Sequence, residues 1–364
     1  MEQMDARVTA GADASSGTGS HMGRQMVRQM SRWMSDVPQS AADYAAAWRG
    51  WWGNLTVWRR CLPAVGVASY LAVIGAIGGL RGDHFTIVGI LLALTYAGPA
   101  FEGILRFALP LFFTAIIYDS QRFYSDYIRG PIHVREPYLF EKYFFGIHTA
   151  DGVLTPNEWF QARTHWLLDL VTGFYYLCFI GIFVGMAAYF QFWLPRRRAR
   201  GAVGAAHALP SAEWVRAHAP AVMWGFFWLN ILGYTTYYWY AAAPPWYVAL
   251  HGLGPAKLDA LPNAAGCLRF DALLGTNFFT EMYGRSADVF GAIPSLHIAY
   301  PLLAVVYAWK FRSLRAFAVS FFAIMCFSAV YLNHHYILDL VWGAAYALIV
   351  AGLTDAWYAR KVRS

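Results

Sequence analysis

The chain has 364 residues, 58% of them hydrophobic and only 13% charged, with a mean hydropathy of +0.37. Soluble domains carry roughly 25% charged residues, so this composition excludes a soluble globular protein and points to an integral membrane protein. The net charge of +7 follows from basic loops on one side of a membrane and requires no nucleic acid. The aromatic content of 18% suits belts of Trp and Tyr at the membrane interfaces.

In chain order, residues 1–20 are rich in Ala, Gly, Ser and Thr and are expected to be disordered. No apolar core that would mark a cleavable signal peptide occurs there. In "HMGRQMVRQMSRWM", Met22, Met26, Met30 and Met34 alternate with Arg24, Arg28 and Arg32 every four residues. That spacing predicts a short helix lying on an anionic membrane surface; the alternative is a Met stripe packed in a core. With Trp48, Trp51, Trp52 and Trp58 it makes an interfacial basic segment over 21–60. A transmembrane domain follows over 61–358, and a basic cytoplasmic tail over 359–364.

Apolar runs predict spans near 62–80, 85–101, 104–118, 166–194, 219–241, 296–310, 316–332 and 337–357. The second and third could merge into one broken helix around Glu102 and Arg106. The positive-inside rule favours eight spans with both termini cytoplasmic. In that arrangement 19 of the 28 Lys and Arg residues lie inside. The opposite, periplasmic or lumenal, face then carries two long segments, 119–165 and 242–295, together with "PSLH" (294–297) and "HHYILD" (334–339). The cysteines Cys61, Cys178, Cys267 and Cys326 show no CxxC or metal spacing, and no essential disulfide is expected.

His335 and Asp339 are spaced i, i+4 and share a helix face. An aspartate that accepts the Nδ1 proton fixes the imidazole tautomer and presents Nε2 as nucleophile or base. The pair stands at a helix start, where free N–H groups and the dipole favour a phosphate. His297 stands just inside the preceding span, after Pro294 and Ser295, and suits a general acid and base. His334 points about 100° away from His335 and is read as a supporting group. A lone interfacial His is usually structural, and Ser295 is as readily a plain N-cap as a phosphate contact. Ionisable residues inside a membrane are nevertheless functional candidates by default. A metal site built on the His–Asp pair is the weaker alternative, since no further acidic cluster accompanies it.

"SAVYLNHHYILDL" (328–340) and "FGAIPSLHIAYP" (290–301) resemble the two strongest motifs of the type 2 phosphatidic acid phosphatase superfamily. "APPWYVALHG" (243–252), the stretch 268–297 and "GPIHVREPYLFEKYFFGI" (130–147) are similar to segments of the aureobasidin-sensitive inositol phosphorylceramide synthases. The resemblance covers residues 85–355 and implies an all-α polytopic bundle with a six-helix core. It also implies a cofactor-free and metal-free transfer of inositol phosphate from phosphatidylinositol to a ceramide-like lipid hydroxyl. His335 would attack phosphorus, Asp339 would orient it, and His297 would be the acid/base. The hydrolases of the superfamily have an arginine where this chain has Ala329, and their upstream Lys–Arg–Pro motif has no counterpart here. This favours a transferase over the alternative, a lipid phosphate phosphatase. The alternative from another class is a non-enzymatic scaffold or transporter. Another cation must then hold the phosphate. Arg135 is the first candidate, beside His133, Arg122, Arg129, Lys142, Arg269 and Arg285, with Ser295 and His334 as further contacts. Arg135 on a wet surface beside Glu136 or Glu141 would be the bland outcome.

Overall fold

The computed structural model describes residues 40–201, 209–284 and 288–363. The expected tail over 1–20, the Met/Arg repeat over 21–34 and Arg285 lie outside them. The chain forms two compact units, one ending at Arg106 and one beginning at Phe107.

In the first unit, helix α1 (Ala41–Asn54) starts at Ser40, whose Oγ accepts from Asp43 N at 3.1 Å, a standard N-cap. Helix α2 (Val57–Ala76) buries only Ile74 and exposes Val57, Trp58, Val65 and Val73. Apolar side chains turned outward on a helix of this length suit lipid as solvent. Helix α3 (Gly82–Tyr96) is separate from α4 (Glu102–Ser120). Between them Gly98 adopts φ 86°, and a Cβ there would lie 2.9 Å from Trp48 Cδ1. Trp48 also donates Nε1–H to Tyr96 O at 2.7 Å and stacks on Trp52 at 5.3 Å, so the Trp-rich α1 is tied to the end of α3.

The second unit contains α5 (Arg135–Phe144), α6 (Pro156–Gln161), α7 (Trp166–Ala188), α8 (Pro220–Trp239), α9 (Leu296–Lys310), α10 (Arg315–Tyr331) and α11 (Ile337–Arg363). A wide turn over Tyr189–Trp193 carries α7 on to Arg200. Among the described residues, four helical stretches are long and apolar enough to cross a membrane: Val57–Ala76, Pro99–Phe123, Trp166–Arg200 and Ile337–Arg360. Gly82–Tyr96 and Arg315–Tyr331 are shorter apolar helices. A helix stands at each of the eight sequence-expected spans, and the protein is an all-α integral membrane bundle.

The bundle packs around α9, with Phe183, Phe226, Leu303 and Tyr307 buried. At one end of it, the short strands β1 (Ile132–His133) and β4 (Ala241–Ala242) pair in parallel, and Ala242 bridges to Gly291. A small hairpin joins β2 (Ile147–Thr149) to β3 (Gly152–Leu154). Strands β1 to β3 lie in the 119–165 segment and β4 stands where the 219–241 span meets the 242–295 segment, and these segments reach the starts of α9 and α11.

Candidate active site

Three backbone features bring the site together. Ser295 precedes α9, and its N–H donates to Asp339 O at 3.0 Å. That approach needs Gly343, one turn beyond Asp339, because a Cβ there would lie 2.3 Å from Ser295 O. Between α10 and α11, Asn333 takes a left-handed φ of 63°, which reverses the chain in five residues. Ala329 O accepts from both His334 N (3.1 Å) and His335 N (3.0 Å), so the position that carries arginine in the hydrolases serves here as a backbone acceptor with a small, buried side chain.

The side chains then form a line. Asp339, fully buried, presents Oδ2 to His335 Nδ1 at 3.2 Å and to Tyr336 N at 2.9 Å. Ala292 O lies 3.1 Å from the same Nδ1. Two acceptors at Nδ1 place its proton there and leave a lone pair on Nε2. His297 Nδ1 stands 3.1 Å from that Nε2. The structure thus brings His297, His335 and Asp339 into one hydrogen-bonded row, with the Nε2 lone pair engaged by His297.

The remaining candidates are placed differently. His334 sits in a column of rings: His297 stacks on Tyr176 (4.4 Å), Tyr176 on His334 (5.0 Å), and His334 on Tyr283 (4.9 Å). Its Nε2 faces Ala264 O at 3.1 Å, and burial lowers its pKa to about 3, so it is a neutral packing group. Phe179 lies 4.7 Å from His297, so α7 supplies two aromatic walls to that imidazole. Ser295 is fully buried, and its Oγ makes no side-chain cap to α9.

Arg269 is committed elsewhere. Its Nε donates to Asp169 Oδ1 at 2.6 Å and its Nη1 to Gln161 Oε1 at 3.0 Å, while its guanidinium lies over Tyr331. Arg122 pairs with Asp119, Arg129 with Asp126 and Asp288, and Lys142 donates to Tyr138 Oη. Arg135 opens α5, is exposed, and has no ion-pair partner among the described residues. The two carboxylates that could have neutralised it are engaged: Glu136 lies 3.5 Å from His133, and Glu141 meets the start of α11. His133 stacks on Tyr240 at 4.2 Å.

The N–H groups at the start of α11, expected to favour phosphate, are occupied. Glu141 Oε1 accepts from Ile337 N (3.0 Å) and Glu141 Oε2 from Leu338 N (3.3 Å). The anion at this helix end is a side chain of α5. Asn157 also grips this turn: its Nδ2 donates to Val330 O and His335 O, both at 3.0 Å. Glu141 and Asn157 meet backbone groups far along the chain, so no local spacing marks them. Tyr176 stands in an apolar run and reads as core packing.

The PAP2 superfamily model matches residues 214–353, which include this row of side chains. Over 290 residues the chain is 33% identical to a phosphoinositol dihydroceramide synthase of Bacteroides thetaiotaomicron, covering 78% of this chain and 87% of that protein. It is 28% identical over 265 residues to the inositol phosphorylceramide synthase catalytic subunit of Schizosaccharomyces pombe (72% and 56% of the two chains). It is 36% identical over 137 residues to the inositol phosphorylceramide synthase of Candida albicans (37% and 29%). No solved structure matches the chain. The helical membrane bundle is that of a phosphotransferase, and the chain belongs to the inositol phosphorylceramide synthase branch of the PAP2 superfamily.

Proposed function

We propose that the protein moves inositol phosphate from phosphatidylinositol to the hydroxyl of a ceramide-like lipid through a phosphohistidine on His335. The observation that carries this reading is the row His297–His335–Asp339, with both acceptors on His335 Nδ1. Substrate binding replaces the His297–His335 hydrogen bond and frees the Nε2 lone pair. Nε2 attacks phosphorus, the P–N bond forms, and the P–O bond to diacylglycerol breaks. Protonated His297 gives its proton to the departing oxygen, and diacylglycerol leaves. The acceptor hydroxyl then attacks phosphorus, His297 takes its proton, and the P–N bond breaks.

Arg135, an exposed cation with no ion-pair partner among the described residues, is the group proposed to hold the phosphate oxygens. Segments 119–165 and 242–295 cover the site and keep water, a competing acceptor, from the phosphohistidine. The asymmetry of Lys and Arg supports cytoplasmic termini and a site on the periplasmic or lumenal face.

The decisive test uses phosphatidylinositol labelled in the phosphate. Without acceptor, an acid-labile, base-stable adduct should form on the peptide holding His335, with one diacylglycerol released per adduct; His335→Ala should give neither. Added ceramide should discharge the adduct into a lipid. Release of the headgroup to water at the same rate with or without ceramide would show a hydrolase instead.

A further inference from the structure

Glu141 is fully buried, yet it lies on α5, outside the bundle helices, and no cation is paired with it among the described residues. A buried carboxylate is costly unless it is paired or hydrogen-bonded. Here the compensation comes from two backbone N–H groups, those of Ile337 and Leu338. They belong to the first turn of α11, and the next residue is Asp339.

That first turn is organised by two carboxylates. Glu141 takes the N–H groups of Ile337 and Leu338, while Asp339 Oδ2 reaches back to Tyr336 N and also holds His335 Nδ1. One oxygen of Asp339 therefore serves both the helix start and the histidine. If Glu141 did not satisfy its two N–H groups, they would be left unpaired in a buried turn beside the Asp339 carboxylate, whose Oδ1 is buried without a partner of its own among the described residues. Recruitment of Oδ1 by these donors would turn the carboxylate and draw Oδ2 away from His335.

We propose that Glu141 is a positioning residue for transfer: by holding the first turn of α11 it keeps Asp339 dedicated to His335. This rests on the assignment of His335 as nucleophile. Burial lifts the Glu141 carboxyl to about 7, so the device is set near neutral pH. The titratable groups around it are Tyr138 and Lys142 on α5, Glu158 on α6, and Tyr336 and Asp339 at the start of α11. Glu158 accepts from Tyr138, and Tyr138 Oη accepts from Lys142, so their polar groups are engaged with one another.

The test compares wild type, Glu141→Gln and His335→Ala, with phosphatidylinositol and ceramide in mixed micelles from pH 5.5 to 8.5. A glutamine offers one oxygen to one N–H and turns its NH2 against the other. The expected result for Glu141→Gln is a kcat lower by about 100-fold, the scale of a small misplacement of a reacting group. KM should stay within about twofold, since substrate binding is not touched. The limb of the wild-type kcat profile near pH 7 should be absent from the variant. A wild-type kcat in Glu141→Gln, or a variant less stable but with unchanged turnover per folded molecule, overturns the proposal. Activity retained in His335→Ala would instead overturn the reading of the nucleophile on which it rests.

A second measurement needs no variant. Amide exchange at Ile337 and Leu338, corrected for intrinsic rates, should be slow at pH 8 and faster at pH 6, where Glu141 holds a proton. Equal protection at the two pH values overturns the proposal as well.

Discussion

Helix α10 ends in a tight turn on each side, and the two turns are held very differently. At Phe311–Leu314, Arg312 and Leu314 take left-handed backbone conformations. One guanidinium, Arg198, donates to the carbonyls of Phe311 (3.1 Å) and Arg312 (3.3 Å), and Ser313 Oγ meets Tyr189 Oη. At Tyr331–Tyr336, four of the six carbonyls are taken by groups from the 119–165 or 242–295 segment. Gln161 and Arg269 hold Tyr331 O, Gly266 N holds Leu332 O, Trp246 N holds Asn333 O, and Asn157 holds His335 O. Both turns satisfy the rule that buried backbone groups find partners. Only the second does so with donors from several separate segments. A turn held from several directions keeps its side chains in one geometry, which is what His335 at its centre needs in its proposed role as nucleophile.

The largest expected break is Asp339→Asn. The amide supports either tautomer of His335, so the proton is no longer fixed on Nδ1. By the precedent of histidine–aspartate pairs in hydrolases, kcat should fall by about 10⁴-fold with KM little changed. Steady-state transfer assays check this. A loss of only a fewfold would mean that Ala292 O alone holds the histidine.

The comparison of the two turns is tested directly by a pair of variants. Asn157→Leu removes the amide that grips Val330 O and His335 O, and should lower kcat by roughly 10- to 100-fold. Ser313→Ala, at the opposite turn, should leave kcat within about twofold and stability within about 0.5 kcal/mol. Equal effects on turnover at the two turns would mean that clamping serves only to satisfy the backbone.

Arg269 separates a structural cation from a phosphate-binding one. Lysine cannot reproduce a fork shared between Asp169, Gln161 and Tyr331. Arg269→Lys should therefore cost about 2–3 kcal/mol of stability, read as a lowered thermal midpoint, with KM for phosphatidylinositol unchanged. A raised KM at full stability would return Arg269 to the phosphate site and remove Arg135 from it.

These effects divide along the line between what the sequence shows and what it conceals. The helices were legible because their apolar runs are continuous, and the His335–Asp339 pairing because its spacing is one helical turn. His297 was legible through its place after a Pro-Ser helix start. Glu141 and Asn157 were not, because their partners are backbone atoms 196 and 178 residues away, and a backbone group looks the same at every position. Arg269 is a phosphate candidate in the sequence because it is one of the few cations of the outer segments. Its partner Asp169 is hidden in the first turn of α7, 100 residues earlier. The N–H groups at the start of α11 do attract an anion, and the anion is the carboxylate of Glu141, a side chain that no local spacing places there.

A further effect concerns stability against pH and needs no change in turnover, and its sign is opposite to that of most acidic groups. Glu141 has an ordinary carboxyl pKa of 4.5 when unfolded and about 7 in the fold, raised by burial despite its two N–H donors. Between these values the folded protein holds more proton than the unfolded chain, so stability falls as pH rises from about 4.5 to 7 and is level above. The span corresponds to on the order of 3 kcal/mol. Thermal midpoints in detergent should decline across that window in wild type and stay flat there in Glu141→Gln; a slope that persists in the variant would assign it to another group. The direction is informative beyond its size. The ionised carboxylate that best holds the first turn of α11 is also the form the fold tolerates least. Neutral pH therefore costs this protein stability at the contact of Glu141 with the first turn of α11, the contact proposed to keep Asp339 in place for His335.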